Sequence, residues 1–152
     1  MPVVAAATEF DIIYVGSWFS LELPKMTVEG ITSIGGLSIE MNVVEVVQAL
    51  KDGTTLTKKM PGVVKYSEVT IKRPLTADKS LWLWAKDIRD GKKDFRADGA
   101  IVLYDIANTE TGRWTFEKAW ISKWSASDLD VGSDDPIMEE ATLQISTLKR
   151  DK

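Results

Sequence analysis

The sequence predicts a mainly β domain carrying one helix, an α+β fold. Three observations carry this expectation. Short stretches alternate apolar and polar residues along most of the chain. Only the span Thr76–Gly91 places its apolar residues at helical spacing instead. The apolar-rich run Leu37–Val47 is about twice the length of an ordinary strand, as an extended hairpin arm would be.

Trp18–Leu23 (WFSLEL) reads as the first strand, stopped by Pro24, and Thr27–Ser33 can pair back onto it. Residues 1–30 are thus an N-terminal arm and first strand. Gly35-Gly36 interrupts the pattern before the long run. There Leu37, Ile39, Met41 and Val43 share one face, with Ser38, Glu40 and Asn42 opposite. At Val43-Val44 the phase slips by one position, which a bulge or sharp bend produces. Residues 49–62 are polar and hold Asp52-Gly53 and Pro61-Gly62, so they read as a long exposed loop. Loops of that length are uncommon in compact domains and usually functional.

Tyr66–Arg73 alternates cleanly and is a strand stopped by Pro74. The helix spans 76–91, with Thr76 or Asp78 as cap and Gly91 as left-handed terminator. Leu81, Trp84, Ala85 and Ile88 line its apolar face, Trp82 flanks it, and Lys86, Arg89 and Asp90 point outward. Gly99–Ile106 and Arg113–Trp120 form a hairpin through a turn at 108–112. Ile121–Ser125 continues the sheet, and Ile137–Leu148 is the last strand. There is no internal repeat or linker, so residues 1–152 are one domain.

Composition removes whole classes of chemistry. Cysteine and histidine are both absent. Without them there is no disulfide framework, no thiolate nucleophile, no usual general base, and neither of the commonest zinc ligands. Triads and zinc hydrolase sites drop out, and the chain reads as a non-enzyme that needs no cofactor or metal. A net charge of −4 with interspersed signs argues against wrapping nucleic acid. The apolar run Val3–Ala7 has no basic residues before it and is not a signal peptide. No stretch approaches the ~20 apolar residues that span a bilayer. The expectation is a protein made in the cytoplasm, without membrane insertion.

Each remaining motif has a bland reading beside a sharp one. Glu139-Glu140 are adjacent, so on a strand they point to opposite faces and cannot act as an acid–base pair. Asp128–Asp135 offers alternating oxygen ligands, but Gly132 and Glu139 fall out of calcium-loop spacing, and an Asp-rich turn is the better reading. Six tryptophans are many for this length. Exposed in a row they would stack on sugars, giving a rival reading as a carbohydrate-binding β-sandwich. Trp82 and Trp84 sit on the helix, Trp114 shares a strand face with Phe116 and Trp120, and Trp124 follows. Aromatics so placed fill a core or a subunit contact. Lys51, Lys58 and Lys59 cluster in the long loop, and Arg89, Lys92, Lys93 and Arg96 after the helix. Interleaved Asp52, Asp90 and Asp94 make these mixed patches suited to protein surfaces.

Six segments, in order, carry a family resemblance: Ser33–Glu40 (SIGGLSIE), Thr57–Tyr66 (TKKMPGVVKY), Val69–Arg73 (VTIKR), Asp78–Trp84 (DKSLWLW), Asp98–Asp105 (DGAIVLYD) and Trp114–Trp124 (WTFEKAWISKW). Together they cover most of the chain from Ser33 onward, and the chain resembles the tail-tube protein family of contractile-tailed phages and contractile injection systems. That resemblance implies a β-barrel-like sandwich with one helix and a long hairpin, assembled as hexameric rings stacked into a hollow inner tube. Ser38, Glu40, Asn42 and Thr70 would face the lumen. Lys51, Asp52, Gly53, Thr54, Thr55, Lys58 and Lys59 would reach the adjacent ring. Implied partners are further copies of the chain, a contractile sheath, baseplate or hub and tube-terminator proteins, and a possible lumen cargo. The particle would stay cytoplasmic or be released. A tube-initiating baseplate paralogue and a type VI secretion tube protein are rivals within the class.

Overall fold

The computed structural model describes residues 14, 16, 18–24, 26–28 and 30–152. The apolar run at Val3–Ala7 and most of the N-terminal arm lie outside the described residues. The elements in chain order are β1 (Phe19–Leu23), β2 (Met26–Val28), β3 (Ser33–Gly35), β4 (Ile39–Ala49), β5 (Thr55–Tyr66), β6 (Val69–Pro74), α1 (Ser80–Arg89), β7 (Ala97–Tyr104), β8 (Glu110–Ala126), β9 (Met138–Gln144) and β10 (Thr147–Arg150). The domain is mainly β with a single helix among the described residues, as the residue patterns require.

Eight strands form one antiparallel sheet in the order β2-β1-β7-β8-β9-β6-β3, with β10 also paired to β8. The 17-residue β8 organises it. Its first half pairs with β7 and its second half with β9. Both halves of the sheet deliver side chains to one core: Leu21 and Ile101 from one, Ile71 and Leu143 from the other, and Phe116 from β8 itself. Helix α1 adds Leu81 and Trp84 to the same cluster. The sheet does not close into the barrel expected from the family resemblance. Its terminal strands β2 and β3 have three residues each, offer few ladder groups, and do not pair with each other.

Several boundaries differ from the sequence expectation, each for a local reason. Tyr66–Arg73 is not one strand; it breaks at Ser67-Glu68, where the left-handed Gly36 (φ +87°) lies against the Glu68 carbonyl. Ile137–Leu148 breaks at Ile145-Ser146, opposite a bulge in β8 at Lys118 (φ +55°). That bulge also corrects the aromatic face. Phe116 is buried, and after the extra residue the buried positions become Ala119 and Ile121. Trp120 therefore turns away from Phe116 and packs edge-on against Phe95, with ring centroids 6.5 Å apart.

The helix is shorter than 76–91. The Thr76 hydroxyl accepts from Asp78 N–H at 3.3 Å and the Asp78 carboxylate from Ser80 N–H at 2.9 Å, which holds residues 76–78 outside the helix. Gly91 terminates it with φ +79°, as expected.

Two left-handed glycines allow a controlled comparison. A Cβ at Gly53 (φ +83°) meets nothing within 4 Å, whereas one at Gly36 would overlap the Glu68 backbone. Gly53→Ala should lower unfolding free energy by about 1 kcal/mol, the cost of a left-handed Ala. Gly36→Ala adds overpacking and should cost about 3 kcal/mol or more. Urea denaturation of the two variants measures the difference.

Candidate assembly surface

The hairpin β4–β5 is a separate two-stranded sheet. Its turn spans Leu50–Thr54, where Leu50 N–H donates to Thr54 O at 2.8 Å and Gly53 N–H to Leu50 O at 3.1 Å. Asp52 Oδ1 accepts from the Thr54 hydroxyl at 2.6 Å and from its N–H at 3.0 Å. Those bonds, the hydroxyl's first, hold the Asp52 carboxyl below its ordinary range. Such an Asx turn with a left-handed Gly53 fixes a tight reversal.

The long loop expected at 49–62 is therefore a five-residue turn, and the rest is strand. Lys51, Asp52, Gly53 and Thr54 occupy the turn. Thr55 opens β5 opposite Ala49, while Lys58 and Lys59 sit within β5 opposite Val46 and Glu45. Glu45 and Lys59 approach to 3.8 Å. The polar residues that argued for a loop belong to a strand wetted on both faces.

Over the 11 residues of β4 the arm extends roughly 35 Å, at about 3.4 Å per residue. The phase irregularity falls where Asn42 faces both Gly62 and Val63, so the extra residue is on β5 and β4 itself alternates without a break. One face carries Ile39, Met41, Val43 and Val47, joined by Val64 and Tyr66 from β5, with the Glu45–Lys59 pair between Val43 and Val47. The other carries Glu40 and Asn42 near the base, with Lys65 opposite Glu40, then Val44, Val46 and Met60 toward the tip. Val43, Val47 and Val63 are 67, 64 and 67% exposed. The outer edges of both strands pair with nothing among the described residues. Ser38 stands at the arm's base, with its hydroxyl on that of Ser67. Thr70 is not part of the hairpin: it lies on β6 between Gly35 and Thr142, on the side away from the core.

A buried charged knot lies in the sheet half that carries the arm. Arg73 and Glu139 are 2 and 1% exposed. Arg73 Nε donates to Glu139 Oε2 at 2.8 Å, and Trp124 Nε1 donates to Glu139 Oε1 at 2.7 Å. Arg73 Nη1 reaches Asp78 Oδ2 at 3.0 Å, and Nη2 the Asp78 carbonyl at 3.2 Å. Burial pulls the Arg73 guanidinium down, but hydrogen bonds and charge from Glu139 and Asp78 leave it raised overall. The Ser80 N–H, then Arg73, hold the Asp78 carboxyl below its ordinary range.

Glu139 is thus a structural counter-ion, while Glu140 on the opposite face approaches Lys72 at 4.0 Å. The sequence carried a signal for this knot. Arg73 has the parity of buried Val69 and Ile71, and Glu139 that of Ala141 and Leu143. Among the described residues no three acidic side chains gather as a metal site.

Five of the six tryptophans are engaged by neighbours, while Trp18 is 49% exposed. Trp84 Nε1 donates to Phe95 O at 2.6 Å, Trp82 stacks edge-on against Trp124 at 5.0 Å, and Trp114 packs on the core. No helix among the described residues is long and apolar enough to cross a membrane.

The model of the T4-like virus tail tube protein gp19 family matches residues 15–149. The chain belongs to this family. It is a tail tube protein, a member of a family of structural tube subunits. No curated protein matches the chain in sequence. Solved structures share its fold. A chain in the cryo-EM structure of the anti-feeding prophage (AFP) tube-terminating cap superposes with a TM-score of 0.82 at 20% identity, covering 100% of this chain and 99% of that one. A chain in the PVC sheath–tube complex of an extracellular contractile injection system, in its extended state, gives 0.78 at 20% identity, covering 93% of each. A chain in the six-fold symmetrised AFP baseplate gives 0.76 at 15%, covering 93 and 97%. At these identities the likeness is one of fold.

The knot in this tail tube protein can be tested at three of its residues. Glu139→Gln removes the buried one of Arg73's two carboxylate partners, leaving only the exposed Asp78, and should cost about 3–5 kcal/mol in denaturant unfolding. Trp124→Phe, which removes one hydrogen bond, should cost far less, about 1–2 kcal/mol. Asp78 has a lowered folded pKa, so its stabilising contribution is complete above the unfolded value near 4 and is lost as pH falls through the folded one. Asp78→Asn should flatten the fall of melting temperature below about pH 4.

Proposed function

We propose that this tail tube protein builds the inner tube of a contractile injection system, as hexameric rings in which the arms of neighbouring copies join edge to edge around a lumen. One observation carries the reading. Among the described residues the β4–β5 arm has two unpaired edges, it exposes valines on both faces, and an isolated two-stranded hairpin is marginal in water. An apolar open edge is an aggregation hazard unless something pairs with it. Head-to-tail contacts that close a ring satisfy every edge.

In such a ring the face with Ser38, Glu40 and Asn42 suits a wet lumen, and Ile39, Met41, Val43 and Val64 suit the buried side. Thr70, beside the arm's base, would extend the polar face. Lys51, Asp52, Gly53, Thr54 and Thr55 at the tip, with Lys58 and Lys59 behind them, would meet the adjacent ring. The six-fold AFP structure and the PVC sheath–tube complex support this reading by likeness of fold. The subunit performs no chemistry. It supplies a stiff hydrogen-bonded wall that a sheath drives forward, with baseplate and terminator proteins at the ends and cargo able to pass inside.

Negative-stain microscopy of the purified protein tests this: rings or tubes are expected, and a monodisperse monomer at high concentration defeats it. Val43→Asp with Val64→Asp places charges on the exposed apolar face. These surface changes should alter unfolding free energy by less than about 1 kcal/mol and abolish rings in micrographs.

A further inference from the structure

The two strands of the arm carry charge of one sign each. Strand β4 holds Glu40 and Glu45 and no base, while β5 holds Lys58, Lys59 and Lys65 and no acid. All five side chains belong to exposed residues. Within the arm each acid stands opposite a lysine, Glu40 across from Lys65 and Glu45 across from Lys59. The segregation holds on both faces. Glu45 and Lys59 share the face of Val43, while Glu40, Lys58 and Lys65 share the other. The outer edge of β4 is thus flanked by acids and the outer edge of β5 by bases. Neither edge has a partner among the described residues.

Such edges can be joined between copies in two ways. A two-fold contact sets β4 against β4, or β5 against β5, and charges along the seam then meet only their own sign. Like charges opposed across a ladder are destabilising. A rotation about an axis along the arm preserves strand directions instead. Strand β4 of one copy then runs antiparallel to β5 of the next, as it does to its own β5. Acids meet bases on both faces, and acidic and basic strands alternate from copy to copy.

We propose that β4 of one copy pairs with β5 of a second copy, and that Glu40 and Glu45 on one strand with Lys58, Lys59 and Lys65 on the other select this pairing. A second copy is the partner because one hairpin presents both halves of the match, an acidic edge and a basic one. Exposed ion pairs add little affinity. Their effect is on choice, because seams of like charge are penalised and the mixed seam is not. The inference rests on the tube reading, and adds which edges meet and which side chains decide it. Lys58 and Lys59 thereby gain a lateral partner within a ring, besides any contact the tip makes with the next ring.

Two charge variants test the choice of edge. Glu40→Lys with Glu45→Lys makes both strands basic, and at low ionic strength should give several-fold fewer rings in micrographs than the unaltered chain. Adding Lys58→Glu, Lys59→Glu and Lys65→Glu reverses every charge on the arm and should restore rings. The fully reversed chain also separates the two seams. Assembled at low salt together with the unaltered chain, it should sort into rings of its own, because β4 of each kind meets β5 of like charge on the other. A tag on one kind should then pull down several-fold less of the other than random mixing gives. High salt screens exposed charges and should let the two kinds mix. A two-fold seam predicts the reverse, since β4 of one kind then attracts β4 of the other. Free mixing at low salt, undiminished rings from the doubly substituted chain, no rings from the fully reversed chain, or sorting that salt leaves unchanged each overturns the pairing. All four leave the tube reading standing while the unaltered chain forms rings, and an unaltered chain that stays monomeric overturns both.

Discussion

Backbone N–H and C=O groups along the outer edges of β4 and β5 have no partner among the described residues, and valines cover both faces between them. Water can satisfy those polar groups, but it does not relieve the apolar faces. A pair of strands in this state gains from further strands on either side. Among the described residues, the rest of the domain holds the arm out and does not pair with its edges. The core half uses Leu21, Ile71, Phe116 and Leu143 for its own cohesion and sends no strand to the arm's edges.

How the arm is held follows from two features at its base. Gly36 turns the chain in a conformation that excludes a side chain and sets the backbone against Glu68, where β5 gives way to β6. Strand β6 is in turn fixed through Arg73, whose guanidinium ties it to Glu139 on β9 and to Asp78 before the helix, while Trp124 on β8 closes the set. A buried ion pair adds little net stability over an apolar core of the same shape, but it tolerates only one geometry because a misplaced partner leaves a buried charge. That is the kind of constraint a projecting lever needs at its root. Contact between arms of neighbouring copies would be wasted if each arm could swing.

The tryptophans serve this architecture as well. Trp82 and Trp124 pack edge to face, Trp84 bonds the Phe95 carbonyl, and Trp120 lies on Phe95. The Trp82–Trp124 and Phe95–Trp120 contacts join the helix and the segment after it to β8, the strand shared by both sheet halves, and Trp84 ties the helix to that segment. Large rings with a single polar handle suit this, since they bury area and fix orientation together.

Residue patterns alone determined the fold class, the single helix with its Gly91 stop, and the anomalous length of the run at Leu37. They also determined the absence of thiol and imidazole chemistry and the alternation that placed Arg73 and Glu139 among buried neighbours. These are local properties of period, composition and turn chemistry. Tertiary structure decided the rest. Residues 49–62 looked like a loop because Lys58, Lys59 and the Thr residues are polar, yet they pair with β4; polarity reports solvent on both faces and does not report pairing. Trp120 left the face of Phe116 because a bulge at Lys118 inserts one residue, and parity beyond a bulge is not legible from spacing. Whether the sheet closes was not legible either, because closure depends on the hydrogen bonds of three-residue end strands with partners far away in sequence. Among the described residues those strands remain apart.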